Sequence, residues 1–125
     1  MTDTLQQYSE QECASRVLEG IGLARRMGIL ICSVEDVCTR AAHWNKSGGQ
    51  SDTVVLIAAS DLAERSMRKL QQRAGTVSVF LSAAEIGHAA GMHKLGALAI
   101  PSGHVAKHVR RWLHVWNTHR QIEVA

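Results

Sequence analysis

Apolar residues recur along this chain with a helical period, give way to short apolar runs, and return to the helical period. Turn residues stand where each change falls. Ser9 and Glu12 form a capping box, Ala14, Val17, Leu18, Ile21 and Ala24 then line one helical face, and Gly28 closes a first helix. Ile29 to Cys32 reads as a short strand, after which Ser33 caps a second helix with Asp36 at the third position and Val34, Val37, Cys38 and Ala41 as its buried stripe. Thr53 to Ala59 is β-branched and apolar, as a central strand requires. Ser60 or Asp61 is the expected cap of a third helix reaching about Arg73, with Gly75 as its end. Val77 to Leu81 is a further strand. Ser82 and Glu85 open a fourth helix with a second capping box, and Gly91 stops it, because glycine adopts positive φ without a Cβ clash. Leu95 to Ile100 is a continuous apolar run ended by Pro101, the pattern of a strand covered on both faces. A final amphipathic helix is expected from about Gly103 to Thr118.

The order α-β-α-β-α-β-α-β-α with short connections argues for an α/β fold, a sheet with helices on both faces. Residues 9–118 form one domain in this reading, preceded by a flexible N-terminus at 1–8 and followed by a tail at 119–125. Lys46 to Asp52 is the expected flexible loop, and the chain contains no internal repeat.

A length of 125 residues with 46% hydrophobic content suits one core that buries roughly two thirds of the unfolded surface. No apolar run approaches the roughly 20 residues that cross a bilayer, and Met1 to Glu10 is too polar for a signal peptide, so a cytoplasmic protein without membrane contact is expected. The three cysteines, Cys13, Cys32 and Cys38, form no CxxC and fall at apolar positions, which predicts reduced, buried thiols. The net charge of +3 and the seven histidines permit a polyanionic partner without requiring one. On the last helix Val105, Val109, Trp112, Leu113 and Trp116 share one arc, and His104, Lys107, His108, Arg110, Arg111 and His114 occupy the other. Such a basic face is either solvated surface or a footing for phosphate.

Candidate chemistry is sparse. His104 and His108 have the spacing of two zinc ligands on a helix, but no third ligand lies near in sequence, and neither a metal nor a cofactor is expected. Gly20-Ile21-Gly22 begins like a dinucleotide fingerprint, yet it falls inside a helical stripe with no strand before it. Ser47-Gly48-Gly49 lacks the Gly-Lys-Ser or Gly-Lys-Thr of a phosphate loop. No nucleophile elbow and no carboxylate pair at acid–base spacing is present, so no catalytic residue is assigned. The second helix start, Cys32-Ser33-Val34-Glu35-Asp36, is different. Its free N–H groups attract anions, whereas its carboxylates complement the helix dipole, repel phosphate and can accept from a guanine or cytosine amino edge.

The alternation of elements, the segment LARRMGILICSVEDV from Leu23 to Val37 and the segment EIGHAAGMHKLGALAI from Glu85 to Ile100 together resemble the kink-turn-binding ribosomal protein family, the large-subunit proteins often called L-seven-Ae and L-thirty-e, in its short bacterial branch. The likeness runs from about Ser9 to Trp116, and Ala59-Ser60-Asp61 resembles the family's strand-to-helix junction. The resemblance implies a three-layer α/β/α sandwich with a four-stranded mixed sheet. It also implies binding to structured RNA, a kink-turn or ribosomal RNA, with possible ribosome association.

In that family the start of the second helix and the loop before the last strand grip a sharply bent RNA at tandem G·A pairs. Those places fall here on Ser33 to Arg40 and Gly91 to Leu95. The family's Gly-x-Asn-Glu-x-x-Lys is matched at no position by Ser33-Val34-Glu35-Asp36-Val37-Cys38-Thr39. Ser33 replaces a glycine that lets backbone approach RNA, Glu35 an amide that both donates and accepts, and Thr39 a phosphate-seeking lysine; Asp36 keeps the acid. Arg40 points about 100° further round the helix. In the second motif Gly91 and Leu95 frame the loop, Met92 and His93 are the expected stacking residues, and Lys94 is the expected phosphate contact. Two functions follow from this reading. One is a non-enzymatic RNA-binding protein using these residues; the other is a protein adaptor or homodimer on the same fold that has lost kink-turn recognition. The identity of the RNA, the oligomeric state and the role of the last helix are left open.

Overall fold

A computed structural model describes residues 8–46, 54–101 and 103–124. Five helices and four strands alternate: α1 (Glu10–Arg26), β1 (Ile31–Cys32), α2 (Val34–Lys46), β2 (Val55–Ala58), α3 (Glu64–Ala74), β3 (Ser78–Val79), α4 (Ala83–Ala89), β4 (Ala97–Ile100) and α5 (His104–Val124). The strands form one mixed sheet in the order β1-β4-β2-β3, with β4 antiparallel to both β1 and β2, and β3 parallel to β2.

Strand alternation divides the core into two layers, as the α/β sandwich reading expects. Val55, Ile57, Leu98 and Ile100 pack on one face with Val17 and Ile21 of α1, Ile86 of α4, and Val109, Leu113 and Trp116 of α5. Leu56, Ala58, Ala97 and Ala99 face the other way, against Val37, Cys38 and Ala41 of α2 and Leu70 and Ala74 of α3. Burying Ile57 and Leu98, each at most 1% exposed, contributes about 1.5–3 kcal/mol per side chain.

The expected elements are present, with local differences at their ends. The Ile29 amide donates to Ala24 at 3.0 Å and so belongs to the closure of α1, which leaves β1 to begin at Ile31. The Leu95 amide is taken by Ala83, and β4 accordingly begins at Ala97. Neither Ser60 nor Asp61 caps α3: Ala63 stands at its N-cap without a side-chain bond, and Asp61 instead accepts from the Ala83 amide at 2.8 Å, fastening the β2–α3 connection to α4. The last helix passes the expected end at Thr118 and runs to Val124. Arg120 stabilises that extension, its guanidinium lying 4.9 Å from the Trp116 ring centroid and 3.1 Å from a Glu10 carboxylate oxygen. Cys32 is half-buried rather than buried, because β1 lies at the sheet edge. The Ser47 to Asp52 part of the expected loop, its Ser47-Gly48-Gly49 segment included, and residues 1–7 lie outside the described residues.

Candidate nucleic-acid interface

The two segments singled out in the sequence meet at one end of the sheet. β1 and β2 run parallel and finish there, and β4 runs the other way and begins there, so the start of α2 and the α4–β4 loop become neighbours. The Ser33 amide donates to the Ala97 carbonyl at 3.0 Å, and the Ala59 amide to the Gly96 carbonyl at 2.8 Å. The loop is thereby held between the α2 start and the β2–α3 connection.

Ser33 has φ +87°, the one described non-glycine residue at positive φ. This is the position where the resemblance implies glycine, and here a serine occupies a left-handed backbone. Its hydroxyl accepts from the Asp36 amide at 3.3 Å and its carbonyl from the Val37 amide at 3.0 Å, so it also caps α2 as the sequence predicts.

The loop after α4 is a Schellman closure. The Met92 amide donates to Gly87 at 2.7 Å and the Gly91 amide to His88 at 3.1 Å, with Gly91 at φ +73°. Met92 is half-buried against the core that contains Ile86. Leu95 is fully buried, so its side chain anchors the loop and cannot offer a surface contact. Gly91, His93 and Lys94 are exposed. A Cβ on Gly87 would lie 2.7 Å from the Lys94 Cα, so α4 and the loop backbone touch at a distance only glycine allows.

On α2, Glu35, Asp36, Thr39 and Arg40 are all exposed. The Thr39 hydroxyl is spent on its own helix, donating to the Glu35 carbonyl at 2.9 Å. Arg40 stands about 10 Å from Ser33 along the helix axis and is the least well gathered of the candidate residues. Glu35 forms an ion pair with Lys69 of α3. The hydrogen bond from Lys69, followed by its charge, holds the Glu35 carboxyl below the usual carboxylate range; Arg73 adds to this and slight desolvation opposes it. Sequence reasoning missed Lys69 and the role of Asp61, because their partners lie 34 and 22 residues away and carry no local signal.

The assembled surface offers two cationic or stacking side chains on a rigid loop, a capped helix start, and a carboxylate tethered by a lysine. It can meet phosphate through Lys94, stack through His93 and accept from base amino groups through Asp36. Among the described residues no three histidine, cysteine or carboxylate side chains come together as a metal site.

No family model matches the chain, and no curated protein matches it. Among solved structures it is similar to a protein of unknown function from Bacillus halodurans C, at 20% identity and a TM-score of 0.66, over 79% of this chain and 97% of that one. At that identity the likeness concerns the fold.

Proposed function

We propose that this chain is a non-enzymatic RNA-binding protein that acts on ribosomal or other structured RNA, as the resemblance to kink-turn-binding ribosomal proteins implies. The observation that carries the reading is the pairing of Ser33, at positive φ, with the Gly91 to Lys94 loop at one end of the sheet. That loop presents His93 and Lys94 from a backbone already fixed before binding, which lowers the ordering cost of a contact. Asp36 and Glu35 read base edges, with Lys69 covering the Glu35 charge against phosphate repulsion. A labelled kink-turn RNA titrated beside a straight duplex of equal length checks the proposal. The kink-turn binds more tightly, its affinity falls as salt rises, and Lys94→Ala weakens it. Equal weak binding to both RNAs overturns kink-turn recognition.

A protein-adaptor reading has its own observation: Leu23 on α1 and Met27 at its C-cap, four residues apart, are 40% and 56% exposed. A monomer by light scattering, with the same hydrodynamic size in a Leu23→Ser/Met27→Ser variant, removes the homodimer form of that reading.

A further inference from the structure

We infer that the groove bounded by the end of α3, the start of β2 and β3, and α5 is a second nucleic-acid contact, one that tracks phosphates without reading sequence. It lies at the other end of the sheet from Ser33, about 13 Å away along the strand direction at 3.3 Å per residue. The groove encloses ≈ 660 Å³, and its described lining carries Arg73, whose charge also acts on Glu35, together with Arg110 and His114, the neutral donors Gln72 and Asn117, and no carboxylate among the described residues. Arg110 reaches from α5 to the start of β2, where its Nη2 donates to the Val54 carbonyl at 3.3 Å; a guanidinium carries further N–H donors beyond that bond. Lys107 and Arg111 do not line the groove but are exposed beside it on α5, each three residues before a lining residue, Arg110 and His114, and they extend the proposed contact along the helix; from His104 to Arg120 that helix has no acidic residue.

The ligand chemistry is anionic oxygen, from either a free phosphate or a nucleic-acid backbone. Lys107 to His114 spans about 10 Å along the helix, longer than one phosphate and matched by successive phosphates of a chain. Glu35, Asp36, Asp61, Glu64 and Glu85 stand on other elements, and on α1, which packs on α5, Glu10 pairs with Arg120 and Glu19 lies near Arg16 while Glu12 is exposed; around Lys107 to His114 the cations of α5 itself set the local field, which favours a polyanion. The inference takes the kind of polymer from the RNA-binding reading but does not depend on the kink-turn edge.

Fluorescence anisotropy with a short oligouridine strand and with kink-turn RNA, each over a salt series, tests it. The variants are Lys107→Gln/Arg111→Gln, which alters only exposed side chains, and Arg65→Gln/Arg68→Gln on α3, an equal change of net charge elsewhere. The α5 variant loses about tenfold in affinity for both RNAs, and its salt slope becomes shallower by about one to two, while the α3 variant stays within twofold of the parent. The ratio between kink-turn and straight RNA is unchanged by the α5 variant. If the parent shows no kink-turn preference yet oligouridine binding still requires Lys107 and Arg111, the edge reading falls and the groove stands. The inference is overturned if the two variants lose affinity equally, if neither does, if no RNA binds, or if inorganic phosphate saturates the protein without competing with RNA.

Discussion

The Ser33 amide donates to the Ala97 carbonyl at 3.0 Å, and this one bond joins the start of α2 to the start of β4. Ser33 holds that position at φ +87°, a conformation that is strained for a residue with a Cβ. Ser33→Gly relieves strain of about 1 kcal/mol and loses a few tenths from the cap. Ser33→Ala keeps the strain and loses the cap bond to Asp36, costing about 1 kcal/mol. Urea denaturation therefore ranks Ser33→Gly at or above the parent and Ser33→Ala below it. The reverse order contradicts a strained cap.

Gly87 supports the candidate loop from beneath. A Cβ there would meet the backbone of Lys94 at 2.7 Å and the Leu95 nitrogen at 2.9 Å, and backbone cannot swing aside as a side chain can. Gly87→Ala is expected to destabilise the protein by about 2–3 kcal/mol and to displace His93 and Lys94. Amide chemical shifts confined to residues near Gly91 to Leu95, with RNA affinity reduced beyond the stability loss, report that displacement.

Local signals were legible and distant ones were not. The Ser9 cap, in which the hydroxyl accepts from the Glu12 amide without the reciprocal bond of the expected box, the full capping box at Ser82, and the stops at Gly28, Gly75 and Gly91 depend on residues within a turn of one another. The two-faced burial of Val55 to Ala58 follows from the strand period. The order β1-β4-β2-β3 and the Glu35–Lys69 pair arise from chain crossings that no short window contains. Gly20-Ile21-Gly22 was readable as a non-match to a nucleotide fingerprint, yet its positive reason, close packing of α1 on α5 and α4, needed the fold.

Thiol chemistry distinguishes the three cysteines. Cys13 is fully buried, and burial first, then the charges of Glu12 and Glu10, push its thiol pKa up. Cys38 is 7% exposed, whereas Cys32 lies half-buried at the sheet edge. A maleimide labels Cys32 about tenfold or more faster than the others in native protein, and all three alike in urea. Peptide mapping by mass spectrometry reads the order; Cys13 labelling first contradicts the packing of α1.

Gly20 sets the approach of α1 to α5. A Cβ on it would lie 2.3 Å from the Cγ2 of Val109, a buried β-branched side chain with little rotamer freedom. Gly20→Ala gains about 1 kcal/mol of helix propensity and loses about 1–3 kcal/mol to overpacking. The net effect is destabilising. In a Val109→Ala background the obstacle is gone, and the same substitution becomes stabilising by up to about 1 kcal/mol. A double-mutant cycle measured by denaturation checks the change of sign, and additive effects contradict the contact.

The Glu35–Lys69 pair carries a pH signature. Glu35 titrates lower in the folded chain than in the unfolded one, chiefly through the Lys69 hydrogen bond. A depressed carboxyl stabilises the fold fully above the unfolded value, near about pH 4.3 for glutamate, and that contribution disappears as pH falls through the folded pKa. The stability difference between the parent and Glu35→Gln is therefore flat above about pH 5 and shrinks in the parent's disfavour at more acid pH. The Glu35 side chain is 77% exposed, so salt reduces the difference at every pH. Lys69→Met removes the pair and most of the pH dependence, leaving only the weaker part due to Arg73. Denaturation of the three proteins across acid pH at low and high salt measures this, and a parent advantage that widens on acidification contradicts it.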